Sequence, residues 1–173
     1  MIEWFQEVFT LPSDKARFVA ILVSAVVAIL VLLLNQWFTN KRERKKVLTE
    51  KIEEMYLSSI DYANAANQII KDLSHPDRRD SNGYYEIDQV VYGNMNDSIR
   101  KMEMLCGLYF PEVDFQVTDY TIGNLPIVET SIKGKQLSED EGFALYEQSR
   151  DHINAAEKKL AKLCRNLMKD SMV

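Results

Sequence analysis

The sequence has 173 residues, of which 46% are hydrophobic, and a formal net charge of −5 at pH 7. Residues 1–46 carry seven Lys/Arg and four Asp/Glu, whereas residues 47–173 carry 14 and 22, a net charge of −8. This acidic portion is long enough for one domain with its own core, and its charge is a poor match for DNA or RNA. We therefore expect no nucleic-acid partner.

Residues 1–17 form a first segment, which we expect to lie outside the cytoplasm. Ile2, Phe5, Val8 and Phe9 recur at helical spacing, which is compatible with a short helix lying on the outer membrane surface. A frayed terminal tail is the alternative interpretation.

Residues 18–40 contain no charged side chain, and from Phe18 to Leu34 they are apolar except for Ser24. A helix of these 23 residues has a length of about 34 Å, enough for a hydrocarbon core of about 30 Å. A cleaved signal peptide, the alternative, has a shorter apolar region that ends at small residues. This run is longer and ends in Asn35-Gln36-Trp37-Phe38, so the sequence predicts a retained single-pass transmembrane helix.

Aromatic and basic residues follow the apolar run. The predicted membrane-interface residues are Trp37, Phe38, Lys41, Arg42, Arg44, Lys45 and Lys46. Only Lys15 and Arg17 supply positive charge before the run, so the positive-inside rule predicts an outside N-terminus and a cytoplasmic domain over residues 41–173. We expect the plasma (inner) membrane as the location and the lipid bilayer as a partner of the basic cluster.

Two stripes of residues predict pairing between helices. Ala20, Ser24 and Ala28 are small residues spaced by four, which lets two membrane helices approach closely. A heptad seam, which Ser59 and Ala66 complete, predicts a coiled coil with another protein or with a second copy. Its pairing residues are Leu48, Ile52, Met55, Tyr62, Ile69 and Leu73. Burial of the seam inside one chain is the alternative.

The chain has no helix breaker between Ser13 and Leu73, so we expect one helix that runs from the membrane span into the cytoplasm and ends before Pro76. A second helix is predicted from about Glu86 to Phe110. Residues 111–137 fit either an alternating strand or a helix, and we expect a mixed connector with one short helical piece.

A third helix is predicted to begin at Ser138, because Ser138-x-x-Glu141 forms a capping box. Its apolar stripe includes Ile153 and Leu160, and cations crowd its C-terminal half. These cations complement the helix dipole, and binding of the basic tail to a membrane or a partner is the alternative. The expected fold class is all-α: a transmembrane helix that continues into a cytoplasmic bundle of three long helices with a long irregular connector.

No motif for chemistry accompanies this pattern. His75 and His152 have no second His or Cys at ligand spacing, and neither a glycine-rich phosphate loop nor a nucleophile motif is present. Cys106 and Cys164 lie on apolar stripes as small hydrophobic residues. We therefore expect no catalytic site, cofactor or metal.

One tripeptide, His75-Pro76-Asp77, lies between the first two predicted helices. It resembles the tripeptide in the interhelical loop of a J-domain, which stimulates a heat-shock chaperone. The resemblance implies a membrane-tethered co-chaperone. It covers three residues, and the basic, Tyr-containing helix that precedes the tripeptide in that family is replaced by "NQIIKDLS", in which Lys71 is the only cation. The alternative is a turn in which Pro76 ends the helix and Asp77 accepts local backbone hydrogen bonds.

Together these features predict a single-pass, membrane-anchored helical module that binds another protein or itself and acts as a scaffold, adaptor or regulator. A co-chaperone acting through His75-Pro76-Asp77 and an enzyme of unrecognised type are the alternatives.

Overall fold

The computed structural model describes residues 12–74, 87–132 and 138–172. These residues are 91% helical and contain no strand. We label the helices α1 (Pro12–Ser74), α2 (Gln89–Tyr109), α3 (Pro126–Ile132) and α4 (Glu139–Met172). Two 3₁₀ turns, Val117–Tyr120 and Ile122–Asn124, precede α3. The prediction of an all-α chain with a long apolar N-terminal helix is confirmed.

The chain divides into two compact units, Met1–Lys46 (unit 1) and Val47–Val173 (unit 2). Helix α1 contributes residues to both units, as the absence of a breaker predicted. In unit 1, the large apolar side chains of α1 from Val19 to Leu34 are exposed. Unit 2 has a hydrophobic core of its own.

The core of unit 2 is built on the heptad seam of α1. Ile52, Met55, Tyr62, Ile69 and Leu73 are each at most 3% exposed, and Leu48 is partly buried against the same core. Ser59, at the small centre of the seam, is also buried, and its hydroxyl donates to Tyr56 O at 2.7 Å. The hydrogen bond of this hydroxyl is therefore made within its own helix, so no partner from another helix is needed where the seam packs.

Helix α2 packs antiparallel to α1. The Cys106 thiol near the end of α2 lies 3.4 Å from Met55 Sδ, whereas Val91 near the start of α2 lines a groove with Gln68, farther along α1. Lys101 Nζ also lies 3.0 Å from Glu54 Oε1. The helix begins after Asp88, whose Oδ1 accepts the Val90 N–H at 2.8 Å and so caps the N-terminus. It ends at Tyr109, just before Phe110 and Pro111, because proline does not continue a helix. Its bounds agree with the predicted helix to within three residues.

The connector after α2 is more regular than the sequence predicted. It holds α3, the short helical piece that was expected, and two 3₁₀ turns, and its described residues, 111–132, contain no strand. Tyr120, Ile122, Leu125, Ile127 and Val128 are all buried in the core of unit 2. Pro126 begins α3, as its fixed φ and missing N–H favour. The segment thus helps to cover the long helices.

Helix α4 starts with the predicted capping box. Glu141 N–H donates to Ser138 Oγ at 3.3 Å, and Ser138 N–H donates to Glu141 Oε2 at 3.1 Å. Helix α4 runs antiparallel to α1. Gly142 lies beside Ser74 near one end of the pair, and Met168 shares a groove with Ile52 near the other. Ile153, Leu160 and Cys164 supply its buried stripe.

Candidate interaction surfaces

The predicted membrane-interface residues of unit 1 form an exposed cluster on α1. The rings of Trp37 and Phe38 pack edge to face with centroids 4.9 Å apart. Lys41 Nζ lies 5.9 Å from the centroid of the Trp37 ring, a cation–π distance. The side chains of Arg42, Arg44 and Lys46 are exposed, and that of Lys45 is half-buried. Aromatic rings and cations therefore occur together at the end of the apolar run.

The residues predicted to pair helices fall into two environments. Ala20, Ser24 and Ala28 are exposed on α1 in unit 1. The seam residues from Leu48 to Leu73 lie inside unit 2, where they pack against their own chain. Pairing of two chains through the seam would have to displace these internal contacts, and self-association stays a prediction.

The two thiols are buried and remain protonated near neutral pH. Burial raises the pKa of the Cys106 thiol from 9.0 to about 11. Burial, with a smaller contribution from Cys106, raises the pKa of Cys164 to about 11. A thiol is nucleophilic only as the thiolate, so this environment does not activate either sulfur.

Among residues 12–74, 87–132 and 138–172, no group of three or more His, Cys, Asp or Glu side chains is placed to hold a metal ion. His152 is an exposed residue of α4. The tripeptide His75-Pro76-Asp77 lies outside the described residues.

An aromatic cluster fixes the connector against α1 and α4. The Tyr120 ring stacks on the Phe115 ring, with centroids 5.2 Å apart, and packs edge to face against the Tyr62 ring, with centroids 6.1 Å apart. Lys159 Nζ lies 5.6 Å from the centroid of the Tyr120 ring and 2.9 Å from Asp119 Oδ2. Burial, and then the neighbouring Tyr120, raise the pKa of Tyr62 to about 12. Both tyrosine hydroxyls therefore stay protonated near neutral pH, and the rings pack here as uncharged groups.

A polar groove of about 580 Å³ lies between α1 and α2. Its walls include Asp61, Asn64 and Gln68 from α1 and Asn94 and Asp97 from α2. Gln68 Nε2 donates to Asp72 Oδ1 at 3.0 Å on its own helix.

A second groove, of about 460 Å³, lies between α1 and α4 and is mainly apolar. Ile52, Tyr56 and Leu57 line it from α1, and Cys164 and Met168 line it from α4. Glu53 and Arg165 are its two charged residues. Leu57 is 61% exposed at its edge, so an apolar side chain of unit 2 is left in contact with solvent here.

Helix α2 leaves an apolar surface uncovered. Met104 and Leu108 are spaced by one helical turn and are 52% and 69% exposed. Neighbouring Gly107 adds no side chain to this surface. We refer to Met104 and Leu108 as the α2 apolar pair.

Comparison with protein-family models, with curated proteins and with solved structures found no match for this chain. One described helix, α1, is long and apolar enough to cross a membrane by its length and composition. None of its most apolar window is buried inside the protein.

Sequence reasoning missed both grooves and the α2 apolar pair. Periodicity assigned a buried face to each long helix, but a groove depends on how far apart two helices lie, and no motif encodes that distance. The sequence does indicate the α2 apolar pair, because Met104 and Leu108 are large apolar residues that lie off the buried stripe formed by Met95, Met102 and Leu105.

Proposed function

We propose that this chain is a single-pass membrane protein whose α1 helix anchors a helical bundle in the cytoplasm, and that the bundle binds another protein. The anchor is supported by the uncharged stretch over residues 18–40, whose apolar side chains are exposed to solvent in the single chain. Exposed apolar side chains in such number are stable only when lipid or protein covers them. The aromatic and basic residues that follow this stretch are of the types found where a transmembrane helix reaches the membrane–water interface.

The bundle is supported by antiparallel packing of α1 with α2 and with α4 around one core. The orientation follows from the excess of cations after the apolar run: five at residues 41–46 against Lys15 and Arg17 before it. The N-terminus is then outside and unit 2 is in the cytoplasm.

The α2 apolar pair is the observation that carries the interaction role. Met104 and Leu108 lie on a helix whose opposite face is fully committed to the core through Met102, Leu105 and Cys106. Adjacent, exposed large apolar residues favour contact with a protein partner. A partner of this surface presents apolar side chains to it.

Two reporters test the anchor and its orientation. A C-terminal fluorescent protein that matures only in the cytoplasm is expected to fluoresce, and a C-terminal alkaline phosphatase, active only outside, is expected to be inactive. An active phosphatase fusion would contradict the orientation.

Photo-crosslinking in membranes tests the interaction role. A benzophenone amino acid at Leu108 is expected to give a discrete crosslinked band that mass spectrometry identifies. The same amino acid at Val90, which is 70% exposed on the same helix, is the matched control. Equal crosslinking at both positions would mean that the α2 apolar pair is not a specific docking surface.

A further inference from the structure

The groove between α1 and α4 carries, at its edges, the side chains of a bilayer interface. Tyr56 and Leu57 are exposed on α1, and Arg165 and Lys169 are exposed on α4. Arg165 and Met168 line the groove, and Lys169 follows Met168, one helical turn after Arg165. We call Tyr56, Leu57, Arg165, Met168 and Lys169 the groove patch.

We propose that the groove patch binds the surface of an anionic lipid bilayer and so holds unit 2 against the membrane in one orientation. This inference rests on the proposed function, because it requires α1 to be anchored in the same bilayer.

The chemistry of the groove patch matches the headgroup region. Leu57 supplies apolar surface, and Tyr56 combines an apolar ring with a polar hydroxyl, as residues at a membrane interface do. Long cationic side chains keep their stems on apolar surface while their charges reach phosphate groups. The mixture of apolar and cationic groups therefore suits lipid better than it suits water.

The cations of the groove patch are available for anionic headgroups. Arg165 Nε donates to Ala161 O at 3.2 Å, a bond within α4 that leaves the charge of the guanidinium uncompensated. In the part of the chain that the structure describes, neither Arg165 nor Lys169 forms an ion pair with a carboxylate. Glu53 is the one acidic residue of the groove and partly opposes them.

Chain connectivity keeps the groove patch near the proposed anchor. Tyr56, the first residue of the groove patch, lies ten positions after Lys46, the last of the basic cluster. Even a fully extended chain of ten residues reaches at most about 36 Å. Tethering at this distance raises the effective concentration of lipid at the groove patch without adding any contact.

Charge restricts which face of unit 2 can approach the bilayer. Residues 47–173 carry a net charge of −8, which an anionic surface repels. The C-terminal half of α4 is the exception, since Lys158, Lys162, Arg165 and Lys169 are all exposed there. An approach through the groove patch presents cations and apolar side chains together, which favours lipid over an uncharged protein surface.

Lipid-dependent fluorescence quenching on the full chain tests the inference. A fluorophore on Leu57→Cys is compared with one on Phe143→Cys, because Phe143 is 65% exposed and follows Gly142, which lies beside the Ser74 end of α1. The protein is reconstituted into vesicles that contain brominated phosphatidylcholine, with or without phosphatidylglycerol. The parent chain, with buried Cys106 and Cys164, reports background labelling.

We expect stronger quenching at position 57 than at position 143, and more of it when phosphatidylglycerol is present. Equal quenching at the two positions, or no effect of the anionic lipid, would overturn the inference. An occupant that is a protein would also leave position 57 unquenched in this purified system. If carbonate instead strips the chain from the vesicles, then the anchor, and with it the proposed function, is wrong.

Charge variants examine the cations directly. Removing one cation that contacts an anionic surface should lower the equilibrium constant for that contact about fivefold. Arg165→Gln with Lys169→Gln is therefore expected to abolish the extra quenching at position 57. Arg100→Gln with Lys71→Gln removes the same charge from exposed positions on α2 and near the Ser74 end of α1, away from the groove patch, and is expected to retain the extra quenching.

Salt provides a second measurement that needs no substitution. Raising the salt concentration is expected to reduce quenching at position 57 in anionic vesicles, because it screens the cations of the groove patch. Quenching that is insensitive to salt and equal in both pairs of variants would mean that these cations do not bind the lipid.

Discussion

The Ser149 hydroxyl, buried in α4, accepts the backbone N–H of Ile127 at 3.1 Å. Ile127 is the second residue of α3, where the N–H has no partner inside the helix. A serine in the apolar stripe of α4 thus caps a short helix that lies 22 residues away in sequence.

Ser149→Ala should lower the free energy of unfolding by about 1 to 3 kcal/mol, because it leaves a buried N–H unsatisfied. Urea titration monitored by circular dichroism in a mild detergent measures the change. Ser98→Ala is the control, since the Ser98 hydroxyl bonds only to Asn94 O on its own exposed helix surface. Equal losses in the two variants would contradict the capping role.

Gly107→Ala is expected to raise the free energy of unfolding by about 0.5 to 1 kcal/mol, because alanine favours a helix interior over glycine. An added Cβ meets no heavy atom within 4 Å, so no clash opposes the gain. Gly93→Ala meets open space in the same way. The two gains should add in the double variant, and a loss of stability in either single variant would show that the glycine has another role.

Alkaline pH should destabilise unit 2. Since burial raises the pKa of both thiols from 9.0 to about 11, the folded chain holds these protons more tightly than the unfolded chain does. The stability they contribute is fully present below pH 9 and is lost as pH rises toward 11. Tyr62, with its pKa raised from 10.0 to about 12, extends the loss to higher pH.

Urea titrations at several pH values measure this dependence. A variant with Cys106→Ala and Cys164→Ala, if folded, should lose less stability between pH 9 and pH 11 than the parent. An identical loss in both proteins would mean that other groups cause the alkaline effect.

Tyr120→Ala should cost about 3 to 5 kcal/mol of unfolding free energy, as large aromatic deletions from a core do. Lys159→Ala, which removes the ion pair with Asp119 at 2.9 Å, should cost less than about 1 kcal/mol, because both partners are exposed. Thermal unfolding of the two variants compares them. A larger loss from Lys159→Ala would mean that charge, rather than ring packing, holds the connector.

Single cysteines at Ile52, Met55 and Ile69, in a background without Cys106 and Cys164, should give no intermolecular disulfides in membranes. These positions are at most 2% exposed inside the single chain. Leu57→Cys, on the exposed side of the same helix, is the control for access of the oxidant. Crosslinks that recur about every 3.5 residues along α1 would instead show the parallel coiled coil that the heptad seam predicts.

The long helices could be predicted from sequence because their signals are local. The apolar spacing of α1, the Pro111 stop after α2 and the capping box at Ser138 each depend on residues a few positions apart. The bond between Ser149 and Ile127, and the burial of Ile122 and Leu125, depend on which helices pack together. Long-range packing also decided that the heptad seam lies inside unit 2, an outcome that periodicity alone leaves open.

The antiparallel placement of α4 against α1 has a consequence for synthesis. The ribosome makes α1 first, and the partners of its seam follow late: the Met55–Cys106 contact spans 51 residues, and Cys164 in the groove with Ile52 comes later still. Until α4 emerges, the part of the apolar seam that α4 covers stays exposed in the newly made chain. Such surfaces attract chaperones and promote aggregation. Nascent chains that stall before residue 139 should therefore be bound by chaperones and cleaved by proteases more readily than the finished chain.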